Sequence, residues 1–331
     1  IVLQIEGWQT LLIACSVTLL YSTLGGLKAV VITDVIQFLL AMIGSVWAAI
    51  YVISLPQIGG INNLINHPNV LEKISVFPNF SDPDIWVPLF FVPLAVQWWS
   101  TYYPGSEPGG GGYIAQRMFS AKNERNAIAA TFLFNFSHYA LRPWPWIIIA
   151  LSSLVIFPEV GDIQNAFPGL SDDKLGDDVA YPAMLTLLPS GLLGIVSASL
   201  IAAFMSTMST QLNLGASYLV NDFYHRFLRQ DASQKELVFA GRVFTVISIT
   251  IGAGLGLTLQ SAGQAFNLLL LVGAGTGAIY ILRWFWWRIN ATTEIIAMVS
   301  SVIIASFLNF GNLGIEDWEK IIIGVVLTTI V

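Results

Sequence analysis

Long apolar runs are the feature that most constrains the fold of this chain. They recur along the whole sequence between short polar connections, and most reach the length of about 20 helical residues that crosses a ~30 Å hydrocarbon core. Only 10% of the residues are charged, where an ordinary soluble domain has roughly a quarter. The runs lack the strict alternation of polar and apolar residues that a membrane β-barrel requires. The sequence therefore predicts an all-α polytopic protein embedded in the lipid bilayer.

The apolar runs predict eight complete spans and part of a ninth, in a single transmembrane domain over residues 1–331. They lie near residues 8–24, 29–54, 86–104, 127–157, 188–220, 237–260, 264–287, 291–309 and 318 to the end. The pair Gly25 and Gly26 predicts a turn, so the first two spans are expected to form a hairpin. The chain starts without methionine, and its last apolar run of about 14 residues is shorter than a full span. We therefore expect the domain to be truncated at both ends.

Basic residues are distributed unevenly between the connections. Ten of them lie in every second connection: Lys28, Arg117, Lys122, Arg125, Arg226, Arg229, Lys235, Arg242, Arg283 and Arg288. The alternate connections carry only Lys73, Lys174 and Lys320. By the positive-inside rule the first set is cytoplasmic, and we expect an integral protein of the bacterial inner (plasma) membrane. No clustered basic patch or recognition motif indicates nucleic-acid binding.

One helix, between residues 202 and 213, carries an unusual set of hydroxyl groups inside an apolar run. Ala203, Ser206, Thr207 and Thr210 are spaced i, i+3, i+4 and i+7, which places them on one helix face. Clusters of hydroxyl and carbonyl oxygens suit a small hard cation such as Na⁺, because they replace its lost water ligands. Serine and threonine in membrane helices also commonly bond to the carbonyl four residues back or to a neighbouring helix. The local pattern leaves ion binding and helix packing both open.

A carboxylate lies inside the second predicted span. Asp34 is about one and a half turns into that helix, where a charge is costly unless it is paired, hydrated or bound to an ion. It is a functional candidate for that reason. The alternative is an aspartate at the water interface that bonds to Thr33 or to the amide of Gln37.

The third predicted span is aromatic and broken. Pro104, Pro108 and the four glycines at 109–112 cannot continue a regular helix. Such interruptions accompany the binding sites of transporters. Gln264 begins the seventh span and is a further candidate for solute contact. Four aromatic side chains of the broken region could stack on a sugar ring or gate a small solute, or could anchor the span at the interface: Trp98, Trp99, Tyr102 and Tyr103.

The remaining polar residues of the spans do not indicate catalysis. Arg142 is the only basic residue predicted inside a span, and the sequence names no partner for it. His138 is expected to be a hydrogen-bonding residue of helix packing. Because His138 and Asp34 are isolated in sequence, and no metal-ligand set or pair of nucleophile and base is present, we do not expect an enzyme.

Three stretches together resemble the sodium/solute symporter family, in order and in spacing, over essentially the whole chain. The first is Gly-Gly-Leu-Lys-Ala-Val at 25–30 with Thr-Asp-Val-Ile-Gln at 33–37. The second is Tyr-Ile-Ala-Gln-Arg-Met-Phe-Ser-Ala-Lys at 113–122. The third is Leu-Pro-Ser-Gly at 188–191, followed by residues 202–213 and Asp-Phe-Tyr at 222–224. The resemblance implies a LeuT-like inverted-repeat transporter core, of which the first helices are expected to be absent here.

The resemblance also implies two sodium sites. The widely shared site would use the Ala203 carbonyl with the Ser206 and Thr207 hydroxyls, and its other ligands would be carbonyls on the absent broken helix. A second site, found in some members, would match Asp34 with Ser209 and Thr210, together with Ser206. Na⁺ is therefore the expected coupling ion, and no organic cofactor is expected.

The resemblance implies sodium-coupled symport of a small polar solute by alternating access. The solute could be a sugar, an amino acid or a carboxylate. No substrate is carried over, because the glycine-rich insertion and the apolar residues 268–271 depart from the sugar and proline carriers. The alternative is a symporter-like sensor domain of a signalling protein, and the oligomeric state is left open.

Overall fold

The structure is a computed structural model that describes residues 2, 6–75, 77–97, 112–170, 175–258, 262–273, 276–311 and 313–331. Every regular element within these ranges is helical. The α-helices are α1 (Gly7–Ile53), α2 (Ile61–Ile65), α3 (Pro68–Leu71), α4 (Pro83–Trp86), α5 (Gly112–Phe119), α6 (Glu124–Phe136), α7 (Pro143–Ile156), α8 (Val160–Ala166), α9 (Ala180–Leu185), α10 (Ser190–Tyr218), α11 (Gln234–Thr258), α12 (Ala262–Gly273), α13 (Thr276–Leu282), α14 (Ala291–Phe310) and α15 (Asp317–Ile330).

Six of the predicted spans correspond to helical stretches of the described residues that are long and apolar enough to cross a membrane. They are Val30–Ile53, Glu124–Ile156, Ser190–Leu228, Gln234–Thr258, Gly263–Leu282 and Ala291–Phe310. The third predicted span is described only as far as residue 97, and the shorter apolar helix Pro83–Val96 overlaps it. The all-helical membrane architecture expected from the apolar runs is thus confirmed.

The first two predicted spans form one helix, so the predicted interruption at Gly25 and Gly26 is wrong. Helical hydrogen bonding continues from Gly7 to Ile53, as is favourable where no water can satisfy free backbone groups. The helix must nevertheless bend between Tyr21 and Gln37, since the Tyr21 hydroxyl lies within reach of the Gln37 side chain. A straight helix would separate positions 16 residues apart by about 24 Å. Glycine pairs are common sites of such bends.

A proline explains the π-helical turn in the fourth predicted span. Pro143 has no backbone N–H to offer to the carbonyl four residues earlier. The turn Ser137–Leu141 is π-helical, and the Arg142 N–H donates to the Ser137 carbonyl at 3.0 Å. Hydrogen bonding therefore shifts by one residue before the proline, and the span continues as α7.

The chain divides into two compact units, of which the first comprises Ile1–Ile74 and Tyr113–Gln260. Its central pair is α1 and α10, which run in opposite directions, since Gly44 lies against residues 195–199 and Asp34 contacts Ser206. A Cβ atom on Gly44 would lie 3.3 Å from Ile195 Cγ2 and 3.6 Å from Ser199 Oγ. The contact with Ile195 is tighter than most Cβ contacts, so this close approach of the two helices favours glycine.

We expect Gly44→Leu to lower the stability of the protein by about 1–3 kcal/mol, because the added side chain must push α1 away from α10. Thermal unfolding in detergent, followed by intrinsic fluorescence, measures the effect. Gly252→Leu is the matched control: Gly252 lies on α11, and an added Cβ would meet no atom within 4 Å. Equal stability of the two variants would contradict the close packing at Gly44. Glycines spaced as at 252, 254 and 256 are often sites of close helix packing, but no described residue would lie within 4 Å of a Cβ atom at any of the three.

The connection after α1 packs onto the bundle. It contains the two short helices α2 and α3, which follow a turn with positive φ at Gly59 and Gly60 (68° and 105°). Leu64 and Val70 of this connection are buried in a core that α1, α7, α9 and α10 share. The connection thus fixes the end of α1 against its neighbours.

The second unit comprises Ser75–Gly112 and Ser261–Val331. Its core contains Leu270, Leu271, Ala305, Leu308 and Ile321, from α12, α14 and α15. The Ser301 hydroxyl of α14 donates a short hydrogen bond to the Val272 carbonyl. The amide of Asn267 donates to the Asp317 carboxylate at 2.7 Å. These polar contacts tie α12 to α14 and α15.

Candidate functional site

The candidate site lies where α1, α5 and α10 meet in the first unit. The Asp34 carboxylate accepts a hydrogen bond from the Ser206 hydroxyl at 2.5 Å through one oxygen. Its other oxygen accepts from the Arg117 guanidinium at 2.9 Å. The same Arg117 nitrogen also donates to the Thr210 hydroxyl at 2.7 Å. One carboxylate, two hydroxyls and one guanidinium from three helices therefore form a single polar cluster.

Asp34 and Arg117 are about equally shielded from solvent. Their side chains are 23% and 27% exposed, respectively. A carboxylate in a membrane span needs a partner, and this pair makes the cluster electrically neutral. Arg117 belongs to α5, and its guanidinium also donates to the Tyr113 carbonyl one turn earlier at 3.1 Å. The sequence used the charge of Arg117 only to orient the chain in the membrane, and the structure adds that its side chain pairs with Asp34, which supplies the countercharge.

Further polar contacts hold the hydroxyl-bearing part of α10 against α1. The Tyr21 hydroxyl donates to the Met205 carbonyl at 2.7 Å, immediately before Ser206. The Asn213 amide donates to the Ser22 hydroxyl at 3.1 Å and to the Ser209 carbonyl at 3.0 Å. These bonds fix the register of α10 against the bent helix.

Ser209 and Thr210 are both buried beside the carboxylate. Ser209 is fully buried and Thr210 is 9% exposed. The Ser209 hydroxyl donates to the Ser206 carbonyl at 3.0 Å. Asp34, Ser206 and Thr210, three of the residues predicted for the second sodium site, are thus joined directly or through Arg117. Ser209 adjoins them on the helix.

Two of the residues predicted for the first sodium site, Ala203 and Thr207, lie at the exposed edge of the same face of α10. The Thr207 hydroxyl donates to the Ala203 carbonyl at 3.1 Å, and both residues are exposed. Threonines in membrane helices commonly donate to the carbonyl four residues back. This bond places the two oxygens side by side, which both the packing and the ion-binding alternatives allow. Ser206, predicted for both sites, turns its hydroxyl to Asp34.

Four of the predicted gate residues lie outside the described residues: Trp98, Trp99, Tyr102 and Tyr103. Gln264 lies in α12, in the second unit. In the part of the chain that the structure describes, no group of three or more His, Cys, Asp and Glu side chains could hold a metal ion. The candidate chemistry of the first unit is therefore that of hydroxyl, carbonyl and single-carboxylate ligands.

Arg142 finds its partners on its own helix. Its guanidinium lies 3.2 Å from His138 Nδ1 and 4.9 Å from the centre of the Trp146 ring. His138 in turn stacks on Phe134, with ring centres 5.5 Å apart. Both contacts of Arg142 are four residues away along the chain, which is a spacing that sequence reasoning can use.

Sequence reasoning missed Arg117, Tyr21 and Asn213 as members of the site. Arg117 lies in the second stretch that carries the family resemblance, but its charge was read only as a marker of membrane orientation. A carboxylate inside a span requires a countercharge, and that requirement was the available signal. The pairing itself joins residues 83 positions apart, which no local pattern indicates.

The fold and the site together define a polytopic helical membrane protein with one carboxylate and three hydroxyl residues gathered at the contact of two helices. The chain belongs to the sodium:solute symporter family, whose model matches residues 2–303. This is a family of transporters rather than enzymes.

Similar proteins include sodium cotransporters from bacteria and vertebrates. The chain is 28% identical to a sodium/glucose cotransporter of Vibrio parahaemolyticus, over 95% of this chain and 59% of that protein. It is 28% identical to sodium/glucose cotransporter 4 of Danio rerio, over 86% of this chain and 46% of that protein. It is 27% identical to sodium/myo-inositol cotransporter 2 of Oryctolagus cuniculus, over 83% and 43%. The chain thus spans about half the length of the curated relatives it matches.

A solved structure supports the fold. The substrate-bound, outward-open structure of a Na⁺-coupled sialic acid symporter matches 99% of this chain and 66% of its own, with a TM-score of 0.64 and 19% sequence identity. The LeuT-like transporter fold expected from the resemblance is thereby confirmed.

Proposed function

We propose that the protein is a sodium-coupled symporter of a small polar solute, and that α10 carries its ion ligands. The observation that carries this proposal is the convergence of Asp34, Ser206 and Thr210 across the contact between α1 and α10. Packing alone requires no carboxylate at this place, and a charge inside a span is costly. An ion-binding role explains why one charge and several hydroxyl oxygens are placed together.

The ligand chemistry fits Na⁺ better than a transition metal. Hydroxyl, carbonyl and carboxylate oxygens are hard ligands, whereas transition metals prefer imidazole and thiolate. A hydroxyl that donates its proton keeps oxygen lone pairs for an ion, so Ser206 can bind Asp34 and Na⁺ together. Two sites result, one with Ala203, Ser206 and Thr207 and one with Asp34, Ser206, Ser209 and Thr210.

Ser206 couples the two sites because it belongs to both. Its hydroxyl is held by Asp34, and Thr207 is its direct neighbour on the exposed face of α10. An ion at the first site therefore orients the hydroxyl that the second site also uses. Sodium binding at the second site bridges Asp34 of α1 and the hydroxyls of α10 and thereby restricts the relative movement of these helices, which supports a cycle of alternating access.

The energy available to such a carrier is sufficient for accumulation. One charge moving through 100 mV supplies about 2.3 kcal/mol, and each tenfold gradient of Na⁺ adds about 1.4 kcal/mol. Two ions that enter down both gradients supply about 7 kcal/mol, which supports a solute gradient of about five decades. One ion supplies about half as much.

The class of solute is proposed from the relatives. The relatives are named as cotransporters of glucose and myo-inositol, and the solved structure is that of a sialic acid symporter. All three are small polyhydroxylated molecules. We propose that the solute is a small polar molecule. Sugars, polyols and sugar acids are the first candidates to test, and amino acids are the second.

Uptake by the protein in liposomes tests this proposal. An inward Na⁺ gradient is expected to drive accumulation of one member of a panel of radiolabelled sugars, polyols, sialic acids and amino acids. Equal gradients of K⁺ or choline serve as controls, and liposomes without protein give the background. Solute uptake that proceeds equally in K⁺ would contradict sodium coupling.

A further inference from the structure

The Arg117 guanidinium binds two of the residues that were predicted to bind the second sodium ion. One guanidinium nitrogen contacts both the Asp34 carboxylate, at 2.9 Å, and the Thr210 hydroxyl, at 2.7 Å. A monovalent cation supplied by the protein itself therefore lies between two of the proposed ligands.

We propose that Arg117 is a tethered cation that competes with Na⁺ for the Asp34 site. This inference rests on the proposed function. The guanidinium holds Asp34 and Thr210 in the sodium-free protein, and it must leave both of them before Na⁺ binds there. Arg117 thereby sets the apparent sodium affinity of the second site.

The geometry makes the two cations mutually exclusive. Asp34 has two carboxylate oxygens, one bonded to Ser206 and the other to Arg117. A sodium ion that contacts Asp34 and Thr210 would lie against the guanidinium, and two positive charges in contact repel each other strongly away from bulk water. The guanidinium has five N–H donors and no acceptor, so it cannot share the site as an ion ligand.

Arg117 is also placed to leave and to return. Its side chain is 27% exposed, so the guanidinium can be hydrated when it is displaced. The other terminal nitrogen donates to the Tyr113 carbonyl at 3.1 Å within the same helix, which keeps the side chain near the site. The Asp34 carboxylate stays neutralised because the guanidinium binds it when Na⁺ is absent and Na⁺ binds it when the guanidinium has left.

Substitution of Arg117 tests whether its guanidinium competes with Na⁺. Arg117→Gln retains amide donors but removes the charge, and we expect it to raise the apparent affinity for ²²Na⁺ at the Asp34 site by about tenfold. Arg117→Lys retains a positive charge and is the matched control, with an affinity within about threefold of the wild type. The double variant Asp34→Asn/Arg117→Gln removes both charges and is expected to lose the gained binding. Binding is measured on the purified protein by scintillation proximity.

A second measurement uses the wild-type protein and does not depend on the folding of a variant. Phenylglyoxal modifies accessible guanidinium groups, and mass spectrometry of the peptide that contains Arg117 gives the rate of labelling. We expect Na⁺ to accelerate labelling of Arg117 relative to the same concentration of K⁺, because the ion releases the side chain. Labelling of Arg229, which is exposed and distant in sequence from the site, is expected to be the same in both salts.

The outcomes separate this inference from the proposed function. Wild-type sodium binding together with unchanged or weaker binding in Arg117→Gln would overturn the tethered cation alone. The same holds for Arg117 labelling that Na⁺ slows or leaves unchanged. Absence of sodium binding in the wild type would contradict the proposed function, and with it this inference.

Discussion

Asp34→Asn is expected to weaken sodium binding by about tenfold or more. The substitution keeps the size of the side chain and removes its charge. At about 4 Å and in a medium of effective dielectric constant near 20, the attraction between a carboxylate and a cation is about 4 kcal/mol. A tenfold loss of affinity needs only about 1.4 kcal/mol, so the expected loss remains large even when the neutral amide still contributes an oxygen ligand.

The same substitution is expected to destabilise the protein, because Arg117 loses its countercharge. Hydrogen bonds to charged groups contribute about 1.5–3 kcal/mol, and the one-quarter exposure of both side chains places the loss near the lower end of that range. Sodium affinity is measured by ²²Na⁺ binding and stability by thermal unfolding. Asp231→Asn is the matched control, since Asp231 is exposed in the turn before α11. Sodium affinity within twofold of the wild type in Asp34→Asn would contradict an ion site at this carboxylate.

The double substitution Ser206→Ala/Thr207→Ala is expected to abolish sodium-dependent uptake. It removes two of the three oxygens assigned to the first site, and it also removes the hydroxyl that donates to Asp34. Alanine is a good helix former, so α10 itself is expected to persist. The Thr207 hydroxyl bonds only to a carbonyl of its own helix among the contacts described, so its loss should affect ion binding more than folding.

Two controls separate ligand loss from a general effect on α10. Thr207→Ser retains the hydroxyl and is expected to retain sodium-dependent uptake. Ser217→Ala removes a hydroxyl from the same helix about three turns nearer its end, where that group accepts a bond from the Asn221 amide at 3.2 Å, and is expected to behave as the wild type. Sodium-dependent uptake that survives the double substitution would show that the ligands were assigned to the wrong residues.

The spans and the position of the hydroxyl cluster could be predicted because both are local. Apolar length decides which helices can cross a membrane, and the 3.6-residue period decides that Ala203 and Thr207 share a face. The hydrogen bond from Thr207 to the Ala203 carbonyl follows from the same spacing. Asp34 was singled out because of the cost of a charge in a span.

The continuity of α1 could not be predicted from composition, because Gly25 and Gly26 fit both a turn and a bent helix. The structure shows that helical hydrogen bonding runs through both glycines. The partners of Asp34 could not be predicted for another reason. Arg117 and Ser206 lie 83 and 172 positions away in the chain, and only the packing of α1 with α10 and α5 brings them together. The charge of Arg117 was used only to orient the chain in the membrane, so its pairing with Asp34 was not considered.

The central claim is that Na⁺ binds to oxygen atoms of α10 beside Asp34. It is tested most directly by equilibrium ²²Na⁺ binding to the purified wild-type protein, to Asp34→Asn and to Ser206→Ala/Thr207→Ala, with K⁺ and choline as competing salts. We predict saturable binding in the wild type that unlabelled Na⁺ displaces and K⁺ does not. We also predict a loss of about tenfold or more in affinity in each variant. Saturable, Na⁺-selective binding of equal affinity in all three proteins would contradict the claim.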